Sequence, residues 1–164
     1  MSRPEDIAQW VVAWGGQAGI DLAPDANGHF NFVADGIPIR LSMEADVASS
    51  LLGAILEDRD LSASPGAMRA LLEFAHLGVA SQRCGVSLSD DGRPVLWLWL
   101  DWARLDAAGL TNTLNGFVAT AAAGRQILAE TPAGARVLPV AEAQTTPPRD
   151  MAGPGHPHAD SLRV

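Results

Sequence analysis

Apolar residues recur at two different periods along this chain. Ile7, Trp10, Val11 and Trp14 follow i, i+3, i+4, i+7, which places all four on one face of a helix. Ser2 and Glu5 have capping-box spacing before that run, Pro4 sits in its first turn, and Gly15-Gly16 is the expected end. The period then drops to two. Phe30 and Phe32 alternate with polar neighbours, Asp35-Gly36 follows, and Ile37, Ile39, Leu41 and Met43 alternate again. A DG pair between two alternating runs predicts a hairpin on a type I′ turn, which needs positive φ at both central positions. Residues 47–56, VASSLLGAIL, have no such alternation. They suit either a short helix or a strand buried on both faces. Glu57-Asp58-Arg59-Asp60 reads as a solvated turn.

Ser64-Pro65 is a second helix start, a cap followed by proline in the first turn. Met68, Leu71, Leu72, Ala75 and Val79 form the expected inner stripe, Phe74 and Leu77 widen it, and Gly78 is the expected stop. A second hairpin runs from Val86 and Leu88 through Asp90-Asp91-Gly92 to VLWLWL at 95–100. In a strand, Leu96, Leu98 and Leu100 point one way and Val95, Trp97 and Trp99 the other. A sheet with one wet face alternates apolar with polar, and this strand does not. One face must cover the core. The other calls for a helix, a second subunit or a bound chain. A third helix is expected from Asp106, with Leu110, Leu114, Phe117, Ala121 and Leu128 as its stripe. The order is helix, two or three strands, helix, two strands, helix. That predicts an α+β fold with a twisted antiparallel sheet.

Charge and composition narrow the function. The chain has 164 residues, 48% of them apolar, enough for one domain with a real core. Nineteen acids face eleven basic residues, all arginine, for a net charge of −8. That balance argues against nucleic acid and against an anionic membrane surface. No apolar run is long enough for a membrane span, and the acidic N-terminus is unlike a signal peptide. Lone Cys84 allows no internal disulfide. A soluble cytoplasmic protein is the expectation. The whole charge lies in residues 1–130. Residues 131–164 are neutral, hold six of the eleven prolines and read as a flexible tail after a folded unit of 1–130.

Catalytic patterns are missing. There is no glycine-rich phosphate loop, GxSxG or HExxH. His76 and Cys84 lack a third group to orient them and read as a helix-surface residue and a buried small hydrophobe. His156 and His158 sit in the tail, and Asp58/Asp60 and Asp90-Asp91 sit in expected turns, where aspartate serves the backbone. The expectation is no enzyme, no metal and no cofactor.

Several stretches resemble the class I chaperones of bacterial type III secretion, the Tir-chaperone family. GHFNFVADGIPIRLSME is similar to the family's first hairpin, and VASSLLGAILED to its third strand, which favours strand for residues 47–56. ALLEFAHLGVASQRCGVSLSDDGRPVLWLWLD resembles its central stretch, with Leu71-Leu72, Gly85, Leu88, Asp90, Gly92, Leu96 and Asp101 at matching places. His76, Arg83-Cys84, Trp97, Trp99 and the long tail depart from the pattern. The resemblance implies the order α-β-β-β-α-β-β-α with three helices. It also implies a homodimer and a non-catalytic, ATP-independent chaperone that holds the N-terminal segment of a secreted effector. Carried over, the cargo-side candidates are Ile7, Trp10, Val11, Trp14, Phe30, Phe32, Ile39 and Leu41. The dimer-side candidates are Met68, Leu72, Phe74, Ala75, Val95, Trp97 and Trp99. The alternative is a small-molecule-sensing or dimerisation module with Trp97 and Trp99 lining an apolar pocket.

Overall fold

A computed structural model describes residues 4–43, 49–78 and 81–131. Helix α1 spans Pro4–Ala18, strands β1, β2 and β3 span Phe30–Ala34, Ile37–Met43 and Ser49–Ile55, and α2 spans Pro65–Ala75. After a 3₁₀ turn, His76–Gly78, come β4 at Gly85–Leu88, β5 at Pro94–Asp101 and α3 at Ala107–Glu130. The fold is α+β, in the order α-β-β-β-α-β-β-α. All strand pairs are antiparallel, in the order β1-β2-β3-β5-β4.

Local chemistry explains most element ends. Asp35 and Gly36 have φ of 52° and 71°, the geometry a type I′ turn demands. The Gly109 N–H donates to Asp106 Oδ1 at 2.7 Å, capping α3. Pro65 opens α2, although the Ser64 side chain makes no cap bond. α1 runs through Gly15-Gly16, against the expected stop. Gly15 is there for space, since a Cβ on it would lie 2.7 Å from the Leu22 side chain. The helix ends instead at Gly19, φ 71°, with Ile20 N–H donating to Gly15 O and Gly19 N–H to Gly16 O. The capping-box Ser2, Val79 and the tail lie outside the described residues. Residues 49–55 form a strand, and 47–48 also fall outside.

One core lies between the sheet and the helices. Ile7, Val11 and Trp14 of α1 meet Phe30, Phe32, Ile39 and Leu41, and the α3 stripe Leu110, Leu114, Phe117, Ala121 and Leu128 is buried as expected. Trp14 packs edge-on to Phe32, centroids 5.4 Å apart, and its Nε1 donates to Asn115 Oδ1 at 2.9 Å. Trp102 Nε1 donates to buried Ser50 Oγ at 2.9 Å. Leu71 of the expected α2 stripe is buried, as is Phe74, and Ala67 completes the inner face in place of Met68, Leu72 and Ala75. Met68 and Leu72 sit one position round the helix, and Leu72 is 58% exposed. The buried faces of all three helices meet in this one core.

Candidate partner-binding face

Strand alternation sends the other half of the sheet outward. Cross-strand partners share a face, so the register builds the outer surface directly. Val33 pairs with Pro38, Arg40 with Gly53, Ser42 with Leu51, Leu51 with Trp99, Gly53 with Trp97, and Ile55 with Val95. This face is largely apolar, with Asn31, Arg40 and Ser42 among its polar members, and carries Val33 and Trp99, which are 59% and 60% exposed. Isolated exposed apolar residues are ordinary, but a contiguous apolar sheet face marks an interaction site.

Two glycines shape it. Gly85 on edge strand β4 lies under the indole of Trp97, so closely that a Cβ there would sit 2.2 Å from the ring. The ring therefore covers β4 and is half-buried without any partner. On its other side Trp97 faces Gly53, where no atom stands within 4 Å of a Cβ position. The result is a hollow of about 610 Å³, walled by Val33, Pro38, Leu51, Ile55 and Val95 with Arg40 at its rim. Arg40 Nε donates to Ser42 Oγ at 3.2 Å.

A second exposed strip follows the outer side of α2. Met68, Leu72 and His76 line a shallow groove of about 610 Å³ with Pro65 and the Arg69–Glu73 ion pair, 2.7 Å apart.

The candidate residues divide accordingly. Seven of the eight cargo-side candidates, Ile7, Val11, Trp14, Phe30, Phe32, Ile39 and Leu41, are buried in the chain's own core, and Trp10 is half-buried against it. The hairpin turns its aromatic face toward α1, so its outward residues are Asn31, Val33, Pro38 and Arg40 instead. Of the dimer-side candidates, Phe74 is buried, Met68, Ala75, Val95 and Trp97 are half-buried, and Leu72 and Trp99 are exposed. Sequence reasoning passed over Gly53. Its signal was a lone glycine inside a strand, which marks a bulge or a close approach.

The polar candidates make no catalytic group. Burial pushes the Cys84 thiol up to about 11, which holds it protonated. His76 is exposed at the end of α2. Hydrogen bonds from Ser62 lower the Asp60 carboxyl. The Ser89 hydroxyl first, then Arg93, lower Asp91 to about 2. Arg93 also meets Asp58 at 3.3 Å, tying the hairpin turn to the loop before α2. These aspartates are fixed anions that brace turns. His156 and His158 lie outside the described residues. Among the described residues no cluster of three His, Cys, Asp or Glu is placed to hold a metal ion. No described helix is long and apolar enough to cross a membrane.

The sequence profile of the Tir chaperone protein (CesT) family matches residues 13–125, over half of the chain. The chain belongs to the Tir chaperone protein family. The match takes in the whole sheet and most of α3. It thus includes the apolar outer face of this CesT-family chain. Solved structures share the fold. A chain of the ExsC–ExsE complex superposes with a TM-score of 0.62 at 18% identity, covering 78% of this chain and 97% of that one. A chain of the HopA1–SchA chaperone–effector complex gives 0.59 at 17%, covering 75% and 95%. One from the ExoU–SpcU complex of the Pseudomonas aeruginosa type III secretion system gives 0.56 at 17%, covering 74% and 97%. A comparison with curated protein sequences finds no match.

Proposed function

We propose that this CesT-family chain is a cytoplasmic, non-catalytic chaperone that holds an N-terminal segment of a type III secreted effector in extended form across the outer face of its sheet. The observation that carries this is the outer side of β5 and β3. Leu51, Ile55 and Val95 line an open hollow that the single chain leaves unfilled, and Trp99, the cross-strand partner of Leu51, stands exposed on the same face. An extended segment suits the surface, because alternate side chains project to one side and meet pockets spaced along a strand. Mass action alone provides the holding, so no ATP is required. The net charge of −8 keeps such a complex soluble. Structures of this fold solved in complexes described as chaperone–effector support the reading.

A homodimer belongs to the same proposal, with the α2 strip of Met68, Leu72 and His76 as the contact between copies. Light scattering should then give a mass near twice 17.2 kDa. Leu72→Asp with Met68→Asp should halve that mass while far-UV circular dichroism stays the same. A wild-type monomer at micromolar concentration refutes the dimer.

The cargo reading is tested by titrating peptides from effector N-termini into the protein. Trp99→Asp and Gly53→Leu should each weaken binding about tenfold or more, the loss of one well-buried apolar anchor. Unchanged affinity in both variants refutes the outer face as the site. A hollow that shifts the melting temperature with small metabolites and ignores peptides supports the sensing module instead.

A further inference from the structure

The five strands hold only two charged residues, Arg40 and Asp101, and both stand on the outer face. Asp101 is occupied. Its carboxylate pairs with Arg104 at 3.2 Å and accepts from the Ala103 N–H at 3.0 Å. Arg40 forms no ion pair among the described residues. Asp25, beyond Asn31, directs its oxygens instead to the N–H groups of Asn27 and His29 and to Asn31 Nδ2. Arg40 is also held in place. Its Nε–H donates to Ser42 Oγ, two residues along β2 on the same face, at 3.2 Å. That bond leaves both Nη groups, a planar fork that can grip a carboxylate through two parallel hydrogen bonds.

Register sets what lies beside this fork. Arg40 is directly opposite Gly53 in the β2–β3 pairing, and adjacent strands are ~4.8 Å apart. Gly53 has no atom within 4 Å of a Cβ position, and Val33, Leu51, Ile55 and Val95 wall the space above it. A cation therefore shares one hollow with aliphatic side chains. An extended segment turns every second side chain toward the surface beneath it, at intervals of ~7 Å. With one such side chain above Gly53, the next in line comes within reach of Arg40.

Apolar ground alone gives a bound segment no register. Sliding it by two residues exchanges one aliphatic contact for another. A single carboxylate removes that freedom, because one placement meets the guanidinium and the others leave the charge against apolar walls. The net charge of −8 opposes acidic segments at long range. Arg40 thus selects by the position of an acid rather than by drawing in negative cargo.

We propose that the hollow selects an extended segment with a large apolar side chain seated above Gly53 and an aspartate or glutamate two positions away, paired with Arg40. This rests on reading the outer face as the cargo surface, and it names the residue that sets cargo sequence and register there.

The test pans a short random-peptide library against the full-length chain and its full-length variants Arg40→Glu, Arg40→Met, Gly53→Leu and Trp99→Asp, each first shown by circular dichroism to be folded. Peptides that the unmutated chain enriches, and that Gly53→Leu or Trp99→Asp loses, should carry an acid two positions from a large aliphatic or aromatic residue. Replacing that acid by its amide should weaken binding to the unmutated chain about fivefold or more and leave binding to Arg40→Met unchanged. Arg40→Glu should enrich lysine or arginine at the same place. Enriched peptides without the acid, or an acid whose removal costs the same in Arg40→Met, overturn the proposal and leave the outer face as the cargo site. A library that yields no peptide sensitive to Gly53→Leu or Trp99→Asp overturns both readings.

Discussion

The same substitution at two glycines on one face of the sheet should have opposite effects. A Cβ on Gly85 would lie 2.2 Å from the Trp97 ring, well inside van der Waals contact. Gly85→Ala must therefore push the indole off β4, stripping apolar cover from the edge strand or bending it. Forcing one methyl group into a packed site costs about 1–3 kcal/mol. Unfolding a domain of roughly 130 residues carries an entropy of about 270 cal/mol/K near its midpoint, so the melting temperature should fall by about 4–11 °C. Gly53→Ala meets no atom within 4 Å. There the only change is a less flexible unfolded chain, which stabilises by about 0.5–1 kcal/mol and raises the midpoint by about 2–4 °C. Thermal unfolding followed by circular dichroism reads both. A double-mutant cycle isolates the cause. In a Trp97→Leu background the cost of Gly85→Ala should shrink to less than about 0.5 kcal/mol, because the clashing ring is gone. Two glycine variants that shift in the same direction refute the packing of Trp97 over β4, and with it the origin of the hollow.

Ser50→Ala leaves the Trp102 Nε1–H buried without its 2.9 Å partner. It should cost about 1–3 kcal/mol, read as a lower urea midpoint at unchanged slope. The Cys84 thiol, raised to about 11 by burial, should react with a disulfide reagent at pH 8 far more slowly in native protein than in denaturant; equal rates contradict its placement. Asp91 titrates near 2 rather than 3.8, so the stabilisation that its partners Ser89 and Arg93 confer is full above pH ~4 and is lost as pH falls toward 2. Asp91→Asn should flatten the stability profile within that window, and an unaltered profile counts against the Ser89 and Arg93 contacts.

Features set by a few adjacent residues were legible in the sequence. The type I′ turn at Asp35-Gly36, the Asp106 cap and the proline start of α2 depend on backbone chemistry within four positions. Phase within α2 was not. Ala67, Met68, Ala70, Leu71, Leu72, Phe74 and Ala75 are all apolar, so two adjacent stripes fit the helical period equally well. Contact with α3 and β4 selects Ala67, Leu71 and Phe74 and turns Leu72 outward. α1 passing through two glycines was equally hidden. Only the approach of Leu22 shows why Gly15 is small.

The candidate site marks a different boundary. Alternation shows that a face is covered, and says nothing about which molecule covers it. Phe30, Phe32, Ile39 and Leu41 share such a face, and α1 of the same chain is what meets it. Val95, Trp97 and Trp99 share another, and there all three helices are already spent on the opposite side. Gly85 accommodates one indole, leaving Trp99 and the ground above Gly53 bare. The surplus implied by LWLWL therefore localises to the outer face of the sheet. It arises because three helices placed on one side of a sheet cannot also cover a strand that is apolar on both.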